Sequence, residues 1–131
     1  MSKPKLIGTY ELGVENVRLY LADGCGGATC RVVPNDNGCA MIILTSAQGD
    51  WGENVCCLMH EAIEMLMHRR GTGYYQTHTG RENTGAYLFV MSHAEFDQIT
   101  EFASRLIVDC MGDLLKAWKM EQQKSKKNAG K

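Results

Sequence analysis

The sequence predicts an α+β domain, a small antiparallel sheet packed with two main helices. Three observations carry this expectation. Four short β-rich runs separated by Gly-containing breaks fill the first part of the chain, an uninterrupted apolar-periodic segment follows, and a second such segment with its own cap lies near the end. A chain of 131 residues with 44% hydrophobic content can bury one sizeable core, so a single domain over residues 1–120 is expected.

The strands are read as Lys5 to Leu12, Asn16 to Ala22, Ala28 to Val33 and Cys39 to Thr45. Between the third and fourth, Pro34-Asn35-Asp36-Asn37-Gly38 holds an Asn-Gly pair suited to positive φ, which closes a hairpin. Val17, Leu19 and Leu21 alternate with Arg18 and Tyr20, the pattern of a strand with one buried face. In Met41-Ile42-Ile43-Leu44 the alternation disappears, which predicts a central strand covered on both sides.

The first helix is expected from Glu53 to Arg70, because that run contains no Gly or Pro and Val55, Leu58, Met59, Ala62 and Leu66 recur at helical spacing. Gly71 suits the left-handed position just beyond it. Tyr74 to Thr79 and Ala86 to Met91 read as two further strands joined by a polar stretch from Gly80 to Gly85. The second helix opens at Ser92, which forms a Ser-x-x-Glu capping box with Glu95, and continues along a stripe of Phe96, Ile99, Ala103, Leu106, Ile107, Cys110, Leu114 and Trp118. Residues 121–131 are polar and Lys-rich without apolar periodicity, the composition of a disordered tail.

Composition narrows the function classes. A formal net charge of −1 gives no electrostatic footprint for nucleic acid or an anionic membrane. Arg69-Arg70 closes a helix, Lys124 to Lys127 belongs to the tail, and Gly24 to Gly27 lacks the Lys-Ser/Thr and helix of a phosphate loop. Met1 to Lys5 carries no apolar signal segment and no run is long enough to cross a bilayer, so a cytoplasmic protein is expected. In that compartment the six cysteines are expected as packing thiols or metal ligands. Cys25, Cys30 and Cys39, with Cys56 or Cys57, offer sulfur donors, but without the paired C-x-x-C spacing of a zinc ribbon.

The densest chemistry lies in His60-Glu61-Ala62-Ile63-Glu64. A His and a Glu four residues apart on one helix reach the same metal ion, and Glu61 stands where metalloproteases keep a general base. On a helical wheel His60 borders the apolar arc, Glu64 lies farther round beside Cys57 and His68, and Glu61 lies beyond them. An ordinary solvated helix face gives the same distribution.

A small N-terminal sheet, the helix Val55 to Glu64 with its His-Glu-x-x-Glu motif, and a second helix opening Ser92-His93-Ala94-Glu95-Phe96-Asp97 together resemble the minimal zincin-type proteins of phages and prophages. The resemblance implies zinc bound by His60 and Glu64, with Glu61 activating water. It also implies a downstream ligand, for which His93 is the first choice and Asp97 and His78 are the alternatives. Glu64 replaces the usual second His, and a carboxylate there leaves the ion a weaker Lewis acid. Two function classes follow. One is a zinc-dependent peptidase or other hydrolase; the other is a non-catalytic binding protein that modulates a host factor, with Tyr74, Tyr75, Tyr87 and residues 80–85 contacting a protein or peptide partner. Oligomeric state is open in both.

Overall fold

A computed structural model describes residues 3–33, 39–69, 73–75, 87–89 and 91–130, with the backbone alone for 31–33, 73–75 and 87–89. The chain forms β1 (Lys5–Leu12), β2 (Glu15–Leu21), β3 (Ala28–Val33), β4 (Cys39–Leu44), α1 (Trp51–Arg69), β5 (Gly73–Tyr75), β6 (Tyr87–Phe89) and α2 (His93–Ala129). The architecture is α+β, as expected.

The sheet is mixed rather than wholly antiparallel. Its order is β1-β2-β4-β3, with antiparallel pairs at β1/β2 and β3/β4 and a parallel pair between β2 and β4. The loop after β2 explains the difference. It folds over the end of β4 through Gly26 N to Thr45 O and Thr45 N to Gly27 O, both 3.0 Å, so the chain crosses to the far edge before β3 begins. β4 then returns into the gap beside β2. Gly26 and Gly27 have φ of 146° and 94°, values that side-chain-bearing residues rarely adopt.

β4 is central, yet one face of it is buried and the other only partly. Ala40, Ile42 and Leu44 are fully buried, whereas Cys39, Met41 and Ile43 are intermediate. The buried set aligns across the ladder with Val17, Leu19 and Leu21 of β2, so a single sheet face meets the helices. Met41 and Ile43 lie opposite Arg18 and Tyr20, whose side chains share the outer face. A continuous apolar run therefore marks centrality here without burial on both sides.

On the inner face α1 contributes Leu58, Ala62, Met65 and Leu66, and α2 contributes Ile99, Ala103, Leu106, Cys110, Leu114 and Ala117. Phe96, expected in that stripe, is 52% exposed. α1 is anchored at its start by polar groups. Asp50 Oδ1 accepts from Glu53 N at 2.7 Å, and Asn54, fully buried, accepts from Ser46 Oγ at 2.6 Å while its Nδ2 donates to the Ser46 and Asp50 carbonyls. These bonds satisfy donors and acceptors that burial would otherwise leave costly.

α2 has the expected capping box, with Ser92 Oγ accepting from Glu95 N and Glu95 Oε1 accepting from Ser92 N, both at 3.1 Å. Its far end departs from expectation. Helix continues to Ala129, through the segment read as a disordered tail. Residues 119–129 contain no Gly or Pro and are mostly strong helix formers. Trp118 Nε1 donates to Gly49 O at 2.9 Å and Gln122 Nε2 to Ala47 O at 2.7 Å, which holds this part of the helix against the loop before α1. β5 and β6 pair antiparallel, and the rest of the two strands expected there, with Gly71 and residues 80–85, lies outside the described residues.

Candidate metal centre

The motif lies midway along α1, and the helix brings His60 and Glu64 together: His60 Nε2 is 3.0 Å from Glu64 Oε2. His68 Nε2 lies 3.4 Å from Glu64 Oε1, so one carboxylate stands between two imidazoles spaced four residues to either side. Such a ladder on a solvated helix is worth only about 0.3–0.5 kcal/mol per pair and needs no metal.

Glu61 sets this site apart from an ordinary polar face. Only 8% of it is exposed, against 68% of the His60 side chain and 31% of the Glu64 side chain. The wheel placed Glu61 beyond the polar strip; the structure places it inward, one turn from buried Leu58 and Met65, because the β3 edge of the sheet covers that flank of α1. Burial, and then the neighbouring Glu61 and Glu64 carboxylates, push the Cys30 thiol up to about 12. Cys30 is thus a neutral thiol beside a buried carboxylate.

One donor atom from each of His60, Glu61 and Glu64 lies within 4.8 Å of the other two. Donors on zinc at about 2.0–2.3 Å sit about 3.3–3.8 Å apart in a tetrahedron, so small rotamer adjustments bring these three onto one ion. The chemistry also fits. A neutral imidazole and two carboxylates form a donor set of the kind zinc accepts, and a divalent cation supplies the counter-charge that a buried carboxylate requires.

The other expected ligands are not brought into this group. His93 is 88% exposed by side chain, and its Nδ1 lies 3.3 Å from Asp97 Oδ2 in the opening turn of α2. His78 lies outside the described residues, as do the side chains of Tyr74, Tyr75 and Tyr87. The cysteines are all free thiols: Cys110 is buried, Cys25 and Cys56 are exposed, and Cys30, Cys39 and Cys57 are intermediate. Of the sulfur donors that the sequence offers, Cys30 lies on the strand that meets α1, and it is not part of the group formed by His60, Glu61 and Glu64.

A groove of about 370 Å³ is lined by Leu12, Val14, Met65, Leu66 and Phe102, with the Arg69–Glu15 ion pair at its edge, and none of the three donors lines it. No described helix is long and apolar enough to cross a membrane. Comparison with family models, with curated proteins and with solved structures found no match.

Proposed function

We propose that this chain is a small metal-binding protein of zincin-like arrangement, with zinc held by His60, Glu61 and Glu64. The observation that carries the reading is the buried Glu61 carboxylate lying within 4.8 Å of donors from His60 and Glu64. Helix periodicity supplies His60 and Glu64 from one face, and the sheet edge directs Glu61 inward beside them. Zinc bound there would supply a counter-charge and Lewis acidity. This reading puts Glu61 among the ligands, where the resemblance gave the third place to His93.

Hydrolysis is the second reading, favoured by the His-Glu order of the motif. It requires Glu61 to act as a base on water rather than as a ligand. A cytoplasmic, phage-encoded protein acting on a host factor remains the setting that the resemblance suggests. The test is elemental analysis of protein purified without chelator and then supplied with zinc. About one zinc per chain is expected, lost in His60→Ala; absence of zinc in wild type after supplementation overturns the reading.

A further inference from the structure

α2 turns Ile99, Ala103, Leu106, Cys110 and Leu114 onto the body of the domain, and at about 100° per residue its opposite face centres on Val108. That face is not uniformly polar. Val108 is 75% exposed, Met111 and Leu115 are half-buried on either side of its line, and Gly112 stands in the open, where an added Cβ would meet nothing within 4 Å. Glycine is a poor helix former, and nothing among the described residues requires its small size at mid-helix. Gly112, Leu115, Lys116 and Lys119 rim a depression of about 370 Å³, whose lining Met120 and Gln123 complete. Residues at i, i+3, i+4 and i+7 are the four that form a hole for the knob of a facing helix.

Charge is divided along the same helix. Residues 93–109 carry four carboxylates and one Arg, whereas residues 110–129 carry five Lys and two carboxylates. On the outer face the exposed Asp97 and Glu101 precede Val108, and the exposed Lys119 and Lys126 follow it. A parallel copy would set like charges together; an antiparallel copy sets unlike charges together. We propose that two copies of this chain pair antiparallel through the outer face of α2, about a two-fold axis beside Met111 and Gly112. In that register Val108 of each copy enters the depression at Gly112 of the other. Asp97 and Lys126 are equally distant in sequence from the axis, so each Asp97 meets Lys126 of the second copy. Within its own copy Asp97 pairs with His93 at 3.3 Å, an exposed contact that leaves the carboxylate room for a second cation.

Sedimentation equilibrium of the full chain tests the pairing. Chelator and reductant are kept present, so that neither a metal nor a disulfide through the exposed Cys25 or Cys56 joins copies, and the outcome is independent of the metal centre. At low ionic strength wild type should reach twice the 14.6 kDa chain mass. At about 1 M salt, where the Debye length is about 3 Å, its dissociation constant should rise at least about 10-fold. Val108→Glu should sediment as a monomer with unchanged circular dichroism, because the side chain is exposed in the single copy. Asp97→Lys should weaken the dimer at least about 10-fold, and Asp97→Lys combined with Lys126→Glu should restore it, since the swap re-pairs unlike charges across the axis. Wild type that stays monomeric at every concentration overturns the proposal and leaves that face to another occupant. A dimer that survives Val108→Glu, or that the double charge swap fails to restore, overturns it as well.

Discussion

Tyr10 Oη donates to Asp113 Oδ2 at 2.7 Å, joining the edge strand β1 to α2 across 103 residues of chain. Burial, and then this bond to a negative acceptor, raises the Tyr10 phenol well above its ordinary 10.0. On the same helix, burial pushes the Cys110 thiol up from 9.0 to about 11.

Both shifts favour the protonated form in the folded state, which fixes the sign of a pH effect. Below the unfolded values the two states bind the same protons and the full stability is present. Above them the unfolded chain releases protons that the folded chain keeps, so stability falls as pH rises through the raised values. The thermal midpoint should hold to about pH 9 and decline from there to about pH 11, with a shallower decline in Tyr10→Phe and Cys110→Ala. An equally steep decline in both variants would assign the effect to other groups.

Leu106 is 1% exposed at the centre of the α2 stripe, whereas Glu101 is on the solvent side, paired with Arg105 at 2.9 Å. Leu106→Ala should cost about 2–5 kcal/mol, transfer and cavity together, and Glu101→Ala under about 1 kcal/mol. Denaturant midpoints of the two variants measure the contrast. Equal midpoints would mean that α2 does not lie on the core by this face.

Truncation before Glu121 tests the end of α2. A disordered tail would be removed without effect, but here Gln122 Nε2 donates to Ala47 O at 2.7 Å and the last turns extend the helix that carries Trp118. Loss of that bond should lower stability by about 0.5–1.5 kcal/mol, read as a lower denaturation midpoint. Trp118 packs on Trp51 with ring centroids 5.7 Å apart, so fluorescence should also report the loosened contact.

Local signals made much of this fold legible. Strand limits followed from β-rich runs bounded by glycines, and the Ser92–Glu95 box marked the start of α2 from four residues alone. What pattern reading could not supply were long-range choices. The insertion of β4 between β2 and β3 depends on the loop bonds at Gly26, Gly27 and Thr45, which leave no periodic trace. The same holds for the centre. His60 and Glu64 were visible as an i, i+4 pair, but the inward setting of Glu61 depends on where β3 crosses α1.

Glu61→Gln separates the two roles open to that carboxylate. The amide keeps the shape of the side chain but is a poor metal ligand and cannot accept a proton at neutral pH. If Glu61 ligates, as proposed, zinc affinity should fall at least about 10-fold, while the fold is retained because the amide keeps the size and shape of the buried side chain. If Glu61 is instead a base, zinc binding should be unchanged and any peptide hydrolysis should vanish. Competition against a chelating dye measures the affinity, and circular dichroism verifies the fold. Unchanged zinc affinity in a folded Glu61→Gln variant would remove Glu61 from the ligand set and return the centre to the zincin role implied by its motif.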